Sequence, residues 1–368
     1  MDGEDYEKTI DDLLYLCRCA INGFRPVKRE YDLNNLFRVA NRNMLTSMVG
    51  IALKNAGIED LQFKQAIAAA YRKTVILNHE RDILFVRLSE AGIWHMALKG
   101  TIIRDWYPEF GMRESADCDV LFDKTYEEKV RDIMGELGYT MITYGGGHHD
   151  VYFKKPVTNM QMHVALFGVG FEKRLNDYYE NVGERLVGDG FEKQFKPEDF
   201  YVYVIAHNHR DYSTSGTGLR SLIDTYVILK KFSEEFNWEY INAETEKLKI
   251  KDFEEKNRSL ALHLFGPARP LSDSDKAMLT YLVRSGTYGT VENVVKNKTS
   301  KYGGGRIGKI RYIRERLFLP IDVIEHSFPL AYKYKILIPF LPLYRALNGL
   351  TKNWMKIKAE VDALVKND

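Results

Sequence analysis

Two short stretches, Ala97-Leu98-Lys99-Gly100-Thr101 and Asp117-Cys118-Asp119-Val120-Leu121-Phe122, decide how the rest of the chain reads. The second is an apolar run that predicts a β-strand. Side chains alternate along a strand, so Asp117 and Asp119 project from one face. Two like charges held so close repel unless a cation lies between them. Their oxygens are hard ligands, suited to Mg²⁺ or Mn²⁺. The first stretch ends in Gly100-Thr101, where the backbone can turn sharply and offer N–H groups and a hydroxyl to an anion. A phosphate seat beside a metal-binding carboxylate pair is the minimum equipment for phosphoryl or nucleotidyl transfer. Read singly, each half is commonplace: exposed acids on an edge strand, and a turn.

The flanking pattern builds a small sheet around this pair. Residues 93–98 predict a short strand, and 124–138 a helix with Val130, Ile133, Met134 and Leu137 inward. Three further strands are predicted over 139–144, 150–154 and 160–166, with Gly145-Gly146-Gly147 as a loop between the first two. His148-His149 beside it reads as exposed loop, or as part of a glycine-rich lid. Residues 1–90 predict helices, the last over 61–88 with Ile67, Tyr71, Val75, Leu77, Leu84 and Leu88 on or near one face. Helices return after residue 171, among them 200–208, 219–232, a charged 241–262 and a basic 306–319. The expected fold class is α+β: a small mixed β-sheet core over 91–170, a helical N-terminal region over 1–90 and a mostly helical C-terminal domain over 171–368.

Composition sets limits. The chain has 368 residues, 45% hydrophobic and 28% charged, enough for a substantial core and ordinary for a globular protein. Its 53 basic and 51 acidic residues nearly cancel, so no global charge points to nucleic acid. Cys17, Cys19 and Cys118 lack metal-site spacing and read as reduced thiols. The acidic start argues against a secretory signal, and no apolar stretch reaches the length of a membrane span. The expected location is cytoplasmic.

Gly100-Thr101 followed by Asp117-x-Asp119 resembles the hG[GS]…[DE]h[DE]h signature of the nucleotidyltransferase superfamily that includes DNA polymerase β. The wider block adds Leu98-Lys99, Trp106-Tyr107-Pro108, Arg113 and Asp117 to Phe122. With Gly216-Thr217-Gly218-Leu219-Arg220-Ser221-Leu222-Ile223-Asp224, it is similar to a bacterial family of uncharacterised nucleotidyltransferases. The resemblance implies an enzyme moving an NMP from an NTP to an unidentified hydroxyl or phosphate acceptor (small molecule, glycan, protein or RNA). It implies Asp117 and Asp119 as catalytic metal ligands, and Gly100 and Thr101 at the β and γ phosphates. The superfamily also uses a third carboxylate, which in this family falls in an acid-x-His pattern. Here that place reads Gln161-Met162-His163, a neutral amide with a histidine that could serve as ligand or general base; Asp150 is a substitute acid. The departure opens an alternative: a catalytically weak or inactive nucleotide-binding module that presents its helical domain to a partner.

Remaining polar residues carry two readings each. Lys99 and Arg104 either neutralise triphosphate charge or are solvated bases, and Arg113 lies in the loop before the carboxylates. Arg220 and Asp224 are one helical turn apart, giving either an intrahelical ion pair or, with His207, a site for the nucleotide's base or phosphate. Lys309, Arg311, Arg314 and Arg316 form either a solvated helix face or a contact for an anionic partner.

Overall fold

In the computed structural model, the described residues are 3–143, 148–168, 173–267, 269–352 and 354–366. Helices come first: α1 (Gly3–Asn22), α2 (Leu33–Arg42), α3 (Thr46–Asn55) and α4 (Leu61–Glu90). Asp32 and Asp60 start α2 and α4 by accepting from the backbone N–H groups of Asn35 and Phe63, which would otherwise be unpaired. On α4 the buried stripe is Phe63, Thr74, Leu77, Leu84, Phe85 and Leu88. Tyr71 and Val75, expected near that stripe, are exposed. They lie too far round the 3.6-residue turn from Leu77, Leu84 and Leu88 to share their face.

The strands are β1 (His95–Ala97), β2 (Cys118–Phe122), β3 (Thr140–Thr143), β4 (His149–Lys154) and β5 (Thr158–His163), in the order β1-β2-β5-β4-β3. The β2–β5 pair is parallel and the others antiparallel, which makes the sheet mixed, as expected. The strand expected over 160–166 begins two residues earlier and stops at His163. Gly145-Gly146-Gly147, and with them the lid reading, lie outside the described residues.

Between and after the strands run α5 (Gly100–Ile103), α6 (Glu127–Glu136), α7 (Lys173–Tyr178), α8 (Pro197–Ser213), α9 (Leu219–Phe232), α10 (Trp238–Lys247), α11 (Lys251–Phe265) and α12 (Asp273–Ser285). The single charged helix expected over 241–262 is two helices. The chain breaks at Lys249, whose φ of 49° no α-helix accommodates.

The sheet separates two cores. Cys118, Val120, Phe122, Tyr152, Met160 and Met162 pack against Leu77, Leu84 and Leu88 of α4 and Val130, Ile133 and Met134 of α6. On the other side one large core runs from Leu13 and Val49 through Met96, Leu98 and Leu121 to Tyr201, Leu222, Ile228 and Val283. It therefore takes residues from the helices on both sides of the sheet in sequence. Asn22 and Asn43 tie the N-terminal helices to the later ones by donating to the carbonyls of Phe265 and Val283.

Beyond residue 290 the helices form small clusters of their own, such as Val295, Tyr312 and Ala363. Arg316 of the basic helix is paired with Glu360 at 2.7 and 3.0 Å. Among the described residues no helix is long and apolar enough to cross a membrane.

Candidate active site

The in-register pairing of β2 with β5 sets Asp119 beside Gln161 and Leu121 beside His163. Alternation then puts Asp117, Asp119, Gln161 and His163 on one face, while Cys118, Val120, Met160 and Met162 fill the core on the other. The side chains meet as this demands. Gln161 Nε2 donates to Asp117 Oδ2 at 2.8 Å, and His163 Nε2 lies 2.8 Å from Asp119 Oδ1. Asp117, Asp119 and Gln161 look into a cleft of about 340 Å³, within the size range of small-molecule sites. Its other walls include Lys99, Gly100 and Thr101 of the turn after β1, Arg113, Ser115 and Ala116 before β2, His207 and Asp211 of α8, the start of α9 with Arg220, and Thr287 and Tyr288.

The two carboxylates differ in environment. Burial, then the charge of Asp119, push the Asp117 carboxyl above its ordinary value, against the pull of Arg220, Lys99 and Arg113. Burial acts the same way on Asp119, but Lys99 and the His163 hydrogen bond outweigh it and hold that group low. An ionised Asp119 beside a reluctant Asp117 is the unbalanced pair that a bound cation relieves. The donors are hard oxygens, so the residues fit Mg²⁺ or Mn²⁺.

Lys99 is the cation nearest in function to this pair. Its φ of 36° is strained for a residue with a side chain, and costs about 1–3 kcal/mol. Its Nζ donates to His207 Nε2 at 2.7 Å. Arg210 Nη2 donates to the same nitrogen at 2.7 Å, and His207 Nδ1 lies 3.2 Å from Asp211 Oδ2. His207 is therefore the Nδ1–H tautomer, neutral, with Asp211 fixing its ring. Burial, with the charges of Lys99 and Arg210, lowers its pKa to about 4 against the pull of Asp211.

That shift has a sign. In the unfolded chain His207 takes up a proton near pH 6.5, while the folded protein resists it down to about pH 4. Its contribution to stability is therefore intact above pH 6.5 and lost as the pH falls through that window. We expect the unfolding free energy to drop by about 1–3 kcal/mol more between pH 7 and 4.5 in the parent than in His207→Gln. Urea unfolding at several pH values measures this, and parallel pH curves would refute it.

Several expected roles are not where the structure places them. Thr101 Oγ1 donates to Cys118 Sγ at 3.5 Å and the residue is buried, so its hydroxyl is not offered to a phosphate. The Thr101 N–H is spent on Leu98 O at 3.0 Å, and those of Ile102 and Ile103 on Lys99 O. Gly100 serves packing: a Cβ there would sit 2.5 Å from Arg113 Nη1. Arg113 in turn is bound to Asp224, Nε to Oδ1 at 2.7 Å and Nη2 to Oδ2 at 2.8 Å, with Tyr107 also donating to Oδ1 at 2.7 Å. The intrahelical Arg220–Asp224 pair is thus absent, because a buried two-point partner outcompetes an i, i+4 neighbour. Arg220 Nη1 instead donates to Glu114 O at 3.0 Å, and the side chain stands in the cleft.

Arg104 does not line the cleft. It is buried near Cys118 with none of its guanidinium nitrogens hydrogen-bonded, and burial lowers its pKa. His163 also lies behind Asp119 rather than in the cleft wall, with its Nε2 on that carboxylate. Asp150 faces the opposite side of the sheet, across from Met162, and pairs with Arg131 at 3.3 Å, which rules it out as the third acid. His148 and His149, expected as exposed loop, are half-buried against His163.

Residues missed in the sequence include Asp211, which only the i, i+4 spacing from His207 could have signalled, and Tyr288. The loop of Tyr288 reaches the cleft because Gly286 and Gly289 adopt positive φ and pack against Arg42 and Ser215 with no room for a Cβ. Lys73 of α4 is a further cation: burial lowers its pKa, offset in part by Asp117 and Glu114.

No curated protein and no solved structure matches this chain. The family model described as uncharacterised nucleotidyltransferase does, over residues 29–266, a span holding every cleft residue except those of the Tyr288 loop. The expected kinship therefore holds, with nucleotidyl transfer as its general chemistry and an NTP as its substrate, and the chain belongs to the family of uncharacterised nucleotidyltransferases.

Proposed function

We propose that the chain moves an NMP from an NTP to a hydroxyl or phosphate acceptor in the cleft over Asp117 and Asp119, with Mg²⁺ or Mn²⁺ as cofactor. The observation that carries this reading is the pair of carboxylates on one strand face, in a cleft whose other walls bring Lys99 and Arg220 toward them. Asp117 and Asp119 would hold the cation, which when bound offsets phosphate charge and orients the triphosphate. Lys99 and Arg220 bind phosphate oxygens. His207 and Asp211 keep Lys99 aimed into the cleft, and His163 does the same for Asp119. The acceptor oxygen forms a bond to the α-phosphorus as the α–β bridge breaks and pyrophosphate leaves. Catalysis is then mostly positioning and charge placement.

The direct test incubates the purified chain with α-labelled NTPs, Mg²⁺ and cell extract, and asks whether pyrophosphate is released and which molecule acquires label. Arg220→Gln is expected to raise KM for the NTP about 10-fold or more, the loss of one charge-assisted contact, with a smaller change in kcat. An unchanged KM would remove Arg220 from the phosphate site.

One observation favours a second reading. Gln161 stands where the superfamily has a carboxylate, and it donates to Asp117 rather than adding an anion. A nucleotide-binding module of weak or no activity would bind NTP and Mg²⁺ in calorimetry without releasing pyrophosphate, and Gln161→Glu would raise its activity. The buried thiols of Cys17, Cys19 and Cys118 support a reducing, cytoplasmic setting. Lys309, Arg311, Arg314 and Arg316 are the contacts we assign to an anionic partner.

A further inference from the structure

The sheet face that carries Asp119 continues, past the cleft, into three histidines for which nucleotidyl transfer has no use as a set. His149 on β4 lies directly across from His163 on β5, and their rings stack 4.8 Å apart. The ring of His148 meets that of His149 edge-on at 4.5 Å. One nitrogen from each of the three lies within 4.8 Å of the other two. His148 Nε2 and His149 Nδ1 are 3.4 Å apart. That is long for a hydrogen bond, but a four-coordinate ion with metal–nitrogen bonds of about 2.0–2.1 Å holds its ligands about 3.3–3.4 Å apart.

His163 supplies a second, independent observation. Its Nε2 lies 2.8 Å from Asp119 Oδ1, and the ionised carboxylate can only accept. Neutral His163 therefore carries its proton on Nε2 and its lone pair on Nδ1. That Nδ1 is buried and has no hydrogen-bond partner, in a residue only 3% exposed. A buried acceptor left unmatched is unfavourable. A histidine whose N–H donates to a carboxylate while its other nitrogen is bare is the arrangement seen at histidine-ligated metals, where the carboxylate fixes the tautomer.

We propose that His148, His149 and His163 form a binding site for a divalent transition ion of the zinc class, separate from the carboxylate pair and joined to it through the His163–Asp119 hydrogen bond. Donor chemistry keeps the two apart: imidazole selects zinc-class ions, and carboxylates select Mg²⁺ or Mn²⁺. Three histidines leave a fourth coordination position for water or another ligand. The proposal does not depend on nucleotidyl transfer.

The test uses the full chain, stripped of metal with a chelator and titrated with Zn²⁺ against a chromophoric competitor. Co²⁺ absorption then reports the coordination. One tight equivalent is expected, resistant to a large excess of Mg²⁺ and accompanied by a rise in Tm. The double variant His148→Ala/His149→Ala should lose at least about 100-fold in affinity, and Asp119→Ala about 10–100-fold through the lost orientation of His163. His148→Ala alone, at a half-exposed position, provides a weaker version of the same loss if the double variant does not fold. Asp117→Asn should keep its Zn²⁺ affinity while losing transfer, which separates failure of this site from failure of the catalytic reading. Absence of a tight equivalent, displacement by Mg²⁺, undiminished binding by the double variant, or loss of Zn²⁺ in Asp117→Asn would each overturn it.

Discussion

Asp117→Asn is expected to lower kcat/KM for Mg²⁺-dependent NTP turnover by about 10²–10³-fold, with no loss of Tm in metal-free buffer. The two halves come from the same geometry. Asn keeps the shape and an oxygen to accept from Gln161 Nε2, so the strand register and the contact at 2.8 Å persist. What it removes is the charge that burial and Asp119 already oppose. Folding without metal should gain slightly from that removal, because one member of a repelling pair is gone. Catalysis loses a ligand for the ion and part of the field that meets the developing charge; removing a single preorganised electrostatic contact of this kind costs about 10²–10³-fold. The stabilisation that Mg²⁺ gives the parent in a melting experiment should vanish with the activity. Turnover within 10-fold of the parent would remove Asp117 from the site. A large fall in Tm without metal would show that the carboxylate serves the fold instead.

The carboxylate pair was legible because its signal is local: alternation along β2 needs no knowledge of the rest of the chain. The mixed sheet followed for the same reason, since each strand and turn is written within a few residues. The roles of Gly100 and Thr101 were not. Gly-Thr after an apolar run looks like an anion cradle, yet the glycine is there to admit the guanidinium of Arg113, and the threonine hydroxyl meets Cys118. Both are tertiary facts. Arg220 and Asp224 show the same limit from the other side. Their i, i+4 spacing gives a weak intrahelical pair, and a buried bidentate partner 111 residues away overrides it. Arg104 and Arg113 were indistinguishable as sequence. One ends buried near Cys118 and the other lines the cleft, paired with Asp224.

Asp224→Ala is expected to carry the largest stability cost of any single change at the site, about 3–5 kcal/mol, read as a fall in the urea midpoint at constant m-value. Asp224 accepts from Arg113 twice and from Tyr107 once, and the side chains of the ion pair are 7% and 9% exposed. Alanine would leave a buried guanidinium with only Ser115 Oγ, at 3.3 Å, to accept from it, and a buried phenol without its acceptor. Total stability for a domain is about 5–15 kcal/mol, so this variant approaches the threshold for folding. Removing both charges is a different experiment. Arg113→Met/Asp224→Leu leaves no buried charge and only the Tyr107 hydroxyl without its acceptor, so it should be more stable than Asp224→Ala, since apolar replacement of a buried pair is often neutral. Its activity should not recover with its stability. The guanidinium of Arg113 fills the space a Gly100 Cβ would occupy and so backs the turn that holds Lys99 at its strained φ. With that support gone, Lys99 is free to relax away from the phosphates, and KM for the NTP should rise about 10-fold while the fold persists. A cost below about 1 kcal/mol for Asp224→Ala would mean that water reaches this ion pair, and a double variant with parental KM would mean that the turn after β1 holds its shape without Arg113.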